Sequence, residues 1–356
     1  MDTDVGAAID PEADAGEPAV GVVHYGLGPI GLAVAALVAD RPWLRPVAAV
    51  DTRDELQGSS LGDSIGRPWP AAPRVTRHLP RVEGAAIALH CTSSSLEVVT
   101  PQIVELIEAG LSVVSTTEEL SYPWQAHPRL AERIDTAARA GGVTVLGTGI
   151  NPGFAMDYLV IVLSAVAQRV DRVAVHRVQD AGTRRLPLRR KVGAGMERGA
   201  FESEVAAGRL GHVGLVESVH ALAGALGLQL TEVRQTIEPI LAATPTATSE
   251  GTVAAGRVAG IHHRAEGRRG EEVVVDLTLD MAVGIGPSSD RVQLWGVPDL
   301  ELEIPGGLPG DLATAAVVVN AIPRVLAAAP GLRVMSELPP PSPGPPDLRR
   351  RKWRGE

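Results

Sequence analysis

Val22-Val23-His24-Tyr25-Gly26-Leu27-Gly28-Pro29-Ile30-Gly31 is the stretch that decides the fold. An apolar run ends in Gly-x-Gly-x-x-Gly, and the Ala-, Val- and Leu-rich segment Gly28–Ala39 that follows reads as a helix. In this context each glycine has a job: Gly26 makes a tight turn, Gly28 lets the backbone approach a pyrophosphate, and Gly31 lets the helix pack on the strand. Leu27, Pro29 and Ile30 complete the loop, and the helix start offers free amides and the positive end of a dipole to phosphates. Asp51 ends the next apolar run, twenty residues after Gly31, where an acid binds the ribose hydroxyls of NAD. Arg53, two residues on, can face a 2′-phosphate by swinging outward, so both NAD and NADP stay open as cofactors. A glycine turn without cofactor, with Arg53 as a solvated loop charge, is the alternative.

Working outward, strand and helix patterns alternate. Val20–Tyr25, Pro46–Asp51, Ala85–Cys91, Leu111–Ser115 and Val143–Gly147 read as strands, and Leu96–Ala109 and Pro128–Ala140 as helices. Apolar strands alternating with helices predict a doubly wound parallel sheet, an α/β Rossmann fold. Beyond residue 150 the pattern changes. Helices are expected at Phe154–Ala167, Val213–Gly227 and Glu232–Ala242, and strands at Arg172–Gln179, Gly251–His263, Glu272–Val283 and Asp290–Ile304. Val273, Val275, Leu277, Leu279 and Met281 alternate as in a half-exposed, mostly antiparallel sheet. The expected organisation is a tail at 1–18, a nucleotide domain at 19–150 rejoined by a C-terminal helical segment at 307–336, an α+β substrate and dimerisation domain at 151–306, and a tail at 337–356.

The chain has 356 residues, 45% of them hydrophobic, and a net charge of −9, which disfavours nucleic acid as a partner. Lys191 and Lys352 are its only lysines and Cys91 its only cysteine, so an internal disulfide and a cysteine metal cluster are excluded, and no metal site is expected. No signal peptide is legible. The apolar run Leu312–Leu326 looks interrupted by Asn320, Pro323 and Arg324, so no membrane partner is expected. A cytoplasmic location and a homodimer are the expectations that go with this. The terminal Arg349–Arg354 stretch reads as a solvated basic tail.

Ligands bind beyond the carboxyl ends of parallel strands. After the third long strand comes His90-Cys91-Thr92-Ser93-Ser94-Ser95, whose Cys91, Thr92 and Ser93 can line the cofactor or cap the next helix. After the next comes Ser115-Thr116-Thr117-Glu118-Glu119-Leu120-Ser121-Tyr122-Pro123-Trp124. There Thr116 can touch the cofactor, and Glu118 or Glu119 can serve as acid-base group or merely compensate a helix dipole. Gly147-Thr148-Gly149-Ile150-Asn151-Pro152-Gly153-Phe154 then enters the second domain, with Asn151 at the crevice. Trp124, Asn151, Phe154, His176 and His212 are the candidate substrate-pocket residues. The basic run Arg184, Arg185, Arg189, Arg190 and Lys191 offers an anchor for a substrate carboxylate or a surface contact.

These segments, together with Arg184–Gly195, Gly211–Ser218 (GHVGLVES) and Gly310–Pro323 (GDLATAAVVVNAIP), resemble the dihydrodipicolinate-reductase-like oxidoreductases of the 2,4-diaminopentanoate dehydrogenase and native amine dehydrogenase type. The resemblance implies reversible NAD(P)-linked deamination of an amine to a ketone or aldehyde plus ammonium. It places the catalytic carboxylate on Glu118, with Glu119 in reserve. His262-His263 is not followed by the lysine of true dihydrodipicolinate reductases. Thr117-Glu118-Glu119 stands where related sugar oxidoreductases carry Glu-Lys-Pro. A plain carbonyl oxidoreductase and a non-catalytic NAD(H)-sensing protein are the rival readings.

Overall fold

The computed structural model describes residues 19–182, 190–248 and 251–344. The tail at 1–18, Arg184, Arg185, Arg189 and the basic stretch Arg349–Arg354 lie outside the described residues.

Two sheets organise the molecule. The first holds β1 (Val20–Tyr25), β2 (Leu44–Val50), β3 (Val75–Thr76), β4 (Ile87–His90), β5 (Ser112–Ser115), β6 (Thr144–Gly147) and β15 (Gly331–Arg333), in the order β15-β6-β5-β4-β1-β2-β3. Every pairing is parallel. The strand order reverses between β1 and β4, so the crevice lies at the carboxyl ends of these two strands. The glycine loop and Cys91–Ser95 therefore face each other by topology. Helices α1 (Pro29–Ala39), α2 (Leu61–Ser64), α3 (Leu96–Glu108) and α4 (Pro128–Gly141) belong to this half. The α3 and α4 stripes Val99, Ile103, Leu106, Ala131 and Ile134 bury one face of the sheet. The strands are apolar on both faces, as sheets covered on both sides must be.

The second sheet has the order β14-β13-β7-β12-β11-β8, from β7 (Arg169–Asp180), β8 (Glu232–Leu241), β11 (Val258–Arg269), β12 (Glu272–Ala282), β13 (Ser289–Val297) and β14 (Leu300–Pro305). A separate pair is formed by β9 (Thr246–Thr248) and β10 (Gly251–Val253). In the six-stranded sheet only β7 and β12 pair in parallel. One face packs on α5 (Tyr158–Ser164) and α7 (Leu215–Leu226), with Val173, Val175, Leu277, Leu279, Val292 and Leu294 meeting Val160, Leu215, Val219 and Leu222. The short α6 (Arg198–Ala206) precedes α7 and buries Phe201.

Four expectations are corrected here. Glu232–Ala242 is not a helix: residues 232–241 form β8, an edge strand on β11, and an edge is where Pro239 is tolerated. The strand expected at Gly251–His263 is two strands, β10 and β11, and that at Asp290–Ile304 is the hairpin β13–β14. The helix expected from Phe154 begins at Tyr158 and ends at Ser164.

The chain then returns to the first sheet. Helix α8 (Gly310–Ala327) runs without interruption through Pro323 and places Val318, Val319, Ile322 and Val325 in one core with Val22, Leu89 and Leu146. It is 18 residues long and apolar enough by composition to cross a membrane, but its apolar side is taken up by this core. Strand β15, a seventh strand that the sequence reading did not contain, adds to β6.

Candidate active site

A cavity of about 380 Å³ opens where the two halves meet. The α1 start supplies Gly28, Pro29 and Ile30, the turn after β4 supplies Cys91, Thr92, Ser93 and Ser94, and the turn after β5 supplies Thr116 and Glu118. The crossing segment adds Gly149, Ile150, Asn151 and Pro152, and the second half adds Arg177, Gln179, Lys191, His212 and Met281. The α8 start closes it with Gly310, Asp311 and Thr314.

The glycine loop has the shape that a dinucleotide needs. Gly26 has φ +90°, and a Cβ there would fall 2.5 Å from the Cys91 carbonyl oxygen. A Cβ on Gly28 would meet nothing within 4 Å, so the open space lies on its ligand side. No side chain caps the first amides of α1, which leaves them for an anion. Leu27 keeps its side chain in the core and donates its amide to Asp51 Oδ2 at 2.7 Å. Burial pushes the Asp51 carboxyl up, but hydrogen bonds from the Arg53 side chain, the Arg53 amide and the Leu27 amide outweigh it and hold the group below its usual range. Asp51 and Arg53 stand at the far end of the loop, outside the cavity wall. Residues of this kind fit a bound NAD(P).

The wall behind the small hydroxyl residues is tied together. His90 Nδ1 lies 2.9 Å from Ser115 Oγ, and Nε2 lies 2.8 Å from Gln102 Oε1. The Gln102 oxygen only accepts, so His90 carries its proton on Nε2. Burial lowers this histidine to about 4, which keeps it neutral. Thr117 Oγ1 donates to the Ser93 carbonyl at 2.8 Å, fixing the turn after β4 to the turn after β5.

The two adjacent glutamates separate. Both lie in a 3₁₀ turn, Glu118–Leu120, which sends their side chains in different directions. Glu119 Oε2 accepts the Leu96 amide at 2.6 Å, at the start of α3, and lies 3.3 Å from His127 Nε2. It closes a helix end. Glu118 lines the cavity. Burial, the dominant influence, raises its carboxyl above the ordinary range, and the Glu119 charge adds to this. Hydrogen bonds from its own amide and from Ser94, together with the Lys191 charge, pull the other way.

The second half gives the cavity a cationic side. Arg177 is buried and donates to Asp290 Oδ1 and the Leu308 carbonyl, each at 2.7 Å, while the Leu308 amide donates to Asp290 Oδ2 at 2.6 Å. This clips the Gly306–Gly307 turn ahead of α8. Lys191 is exposed at the cavity and makes no hydrogen bond or ion pair with the described residues. His212 Nε2 lies 3.0 Å from the Asn151 carbonyl, so that nitrogen carries its proton, and burial lowers the ring to about 3.

Of the residues expected from sequence, the cavity gathers Gly28, Pro29, Ile30, Cys91, Thr92, Ser93, Thr116, Glu118, Asn151 and His212. Three pocket expectations are corrected. His176 lies on the outer face of the second sheet, 2.7 Å from Asp280, because β7 alternates and it is Arg177, one residue on, that faces inward. Phe154 packs 6.2 Å from the Tyr158 ring between two cores, and Trp124 sits at the surface. Arg177, Gln179, Met281, Asp311 and Thr314 were not foreseen. Asp311 and Thr314 fall in the GDLATAAVVVNAIP segment, where a signal existed.

Comparison with known proteins agrees with this geometry. The model of the 2,4-diaminopentanoate dehydrogenase C-terminal domain matches residues 154–351. A protein of Acetoanaerobium sticklandii named 2,4-diaminopentanoate dehydrogenase is 32% identical over 90% of this chain and 94% of its own length. The chain belongs to the 2,4-diaminopentanoate dehydrogenase family. The amine dehydrogenase of Streptomyces virginiae is 25% identical over 64% of this chain and 67% of its own. The structure of an amine dehydrogenase from Mycobacterium smegmatis superimposes with a TM-score of 0.80 at 25% identity, covering 91% of this chain and 97% of that one. Like these relatives, this member of the family is an NAD(P)-dependent oxidoreductase acting on amines.

Proposed function

We propose that the chain deaminates a primary amine that also carries a carboxylate, with Glu118 as its acid-base residue. One observation carries the reading: a buried carboxyl, Glu118, and a lysine ammonium with no ion-pair partner among the described residues, Lys191, line the same cavity. Glu118 suits the reacting amine, and Lys191 suits a carboxylate a few carbons away. 2,4-Diaminopentanoate, named for the relative above, has this form.

The chemistry follows from the placement. Ionised Glu118 takes a proton from the substrate ammonium, frees the nitrogen lone pair and releases that proton to solvent, so that it is a carboxylate again for the next step. A bound NAD(P)+ supplies the acceptor for the hydride that leaves the carbon. The carboxylate then lies against the positive charge of the substrate iminium, where a low-dielectric wall of Ile30, Ile150 and Met281 strengthens the attraction. Water adds to the iminium carbon and gives a proton to Glu118, which passes it to the departing nitrogen. The balance is substrate ammonium, water and NAD(P)+ to carbonyl, ammonium, NAD(P)H and one proton. Asn151, fixed through its carbonyl by His212, positions the crossing segment beside this centre.

The test is formation of reduced cofactor from a panel of amines with and without a carboxylate. We expect kcat/KM for 2,4-diaminopentanoate to exceed that for the matching amine lacking the carboxylate by about tenfold or more, the scale of one charge-assisted contact. Equal rates would leave a simple amine dehydrogenase. Turnover of an alcohol without ammonium would replace the reading with a carbonyl oxidoreductase. A homodimer built on the outer face of the six-stranded sheet and a cytoplasmic location belong to the same proposal. Light scattering and cell fractionation check them.

A further inference from the structure

Glu118 has to lose a proton while the cavity it faces is full. With amine and cofactor in place the mouth is occupied, and the proton taken from the substrate ammonium needs another way out. Helix α7 packs behind this wall. A Cβ on Gly214, at its start, would fall 2.3 Å from Pro152 Cδ, and a Cβ on Gly224, further along, would fall 2.7 Å from the Tyr122 hydroxyl. Pro152 lines the cavity, and Tyr122 lies four residues after Glu118. Glu217 is three residues from Gly214 and seven from Gly224, spacings that put all three on one side of the helix.

Glu217 is 7% exposed, makes no ion pair among the described residues, and accepts there only the hydrogen bond of its own amide. An acid in the first turn of a helix compensates the dipole, but an exposed acid does so too, without the cost of burial. The charges that reach Glu217 from outside its helix are those of Glu119, His127 and Glu118. Burial raises its carboxyl above the ordinary range; its own amide opposes this, the two glutamates add to it, and His127 opposes it. On α7 itself the next titratable group is His220, half-buried and lowered by that burial. His127 stands at the outer end of the group. Its Nε2 lies 3.3 Å from Glu119 Oε2, and its side chain is 24% exposed.

We infer that Glu217 is the proton-transfer residue behind Glu118, taking the proton from it and handing it to His127, which gives it to solvent. The first transfer leaves Glu118 a carboxylate and Glu217 a carboxylic acid. The second leaves Glu217 a carboxylate and His127 an imidazolium, which the Glu119 charge stabilises. The third frees the one proton of the overall balance, and no electron moves. A group that takes and gives a proton in every turnover works best when it is a weaker acid than an ordinary glutamate, which burial supplies here. The inference rests on Glu118 as the acid-base residue.

Chemical rescue tests it. The full chain is assayed with NAD(P)+ and 2,4-diaminopentanoate in dilute buffer, then with added formate or imidazole as small proton carriers. Glu217→Gln should lower kcat by about tenfold or more in dilute buffer, less than the full weight of an acid-base group, with KM little changed. Added carrier should restore most of that rate. His127→Gln should show the same buffer dependence with a few-fold loss, and it keeps the inference testable if the first variant misfolds. Wild-type rates for both variants in dilute buffer would overturn it. So would a loss that no carrier relieves, the mark of a purely structural acid. Glu118→Gln separates the two readings: if it is inactive while both other variants run at full rate, only the relay falls. If Glu118→Gln itself turns over normally, the proposed function falls and takes the relay with it.

Discussion

The two walls of the cavity are built on different terms. The wall from the parallel sheet is closed on itself: Leu27 with Asp51, His90 with Ser115 and Gln102, Thr117 with the Ser93 carbonyl, and Glu119 with the Leu96 amide. The wall from the second sheet ends in charge: Arg177 is anchored on Asp290 and the Leu308 carbonyl, and Lys191 makes no hydrogen bond or ion pair with the described residues. Rigidity belongs to the half that must hold a cofactor in one place, and open charge to the half that must accept a substrate. Glu118 sits on the closed wall and faces the open one.

Substitution of Glu118 should break this division most severely. Glu118→Gln should lower kcat by about 10²–10⁴-fold, the usual weight of a general acid-base group, while cofactor binding followed by fluorescence titration persists. Retained turnover would move the chemistry elsewhere. Arg177→Met comes next. It strands the Asp290 carboxylate, which is 2% exposed, and should cost about 3–5 kcal/mol in a denaturant titration. Glu119→Gln separates the adjacent acids: stability should fall by about 1 kcal/mol through the weakened α3 terminus, with most turnover kept.

The pH dependence sharpens the comparison further. Burial raises Glu118, and its carboxylate is the working form, so kcat/KM should fall on the acid side above the ordinary glutamate range. Lys191 lowers the same group. Lys191→Met should therefore move the acid limb to higher pH, measured as a pH–rate profile. The shift should be modest, because the lysine is exposed and screened. His176→Ala, on the outer face of the sheet, should leave the kinetic constants where they are.

What the sequence made legible tracks the same two walls. Gly26, Gly28, Asp51 and the Thr116–Glu119 turn are local motifs, and each carries its partner within a few residues or at a fixed strand spacing. Which of Glu118 and Glu119 faces the cavity was beyond spacing, because a tight turn separates them by direction rather than by distance along the chain. The second wall is assembled from residues far apart, Arg177, Lys191, Met281 and Asp311, brought together only by the six-stranded sheet and the returning helix. His176 was chosen over Arg177 because alternation fixes which residues share a face but not which face is inside. β8 was misread because Val233, Ile237, Ile240 and Leu241 mimic a helical stripe. Its β-branched residues and Pro239 were the contrary signals.

The last strand sets a timetable for synthesis. β15 pairs with β6, and α8 covers Val22, Leu89 and Leu146, yet both are made after the whole second sheet. While the chain emerges from the ribosome, the nucleotide-binding half carries an apolar face that α1 covers only in part until its own final segment arrives. Premature termination anywhere before Gly310 thus leaves a sheet with a sticky side, a substrate for chaperones and proteases rather than a smaller working enzyme.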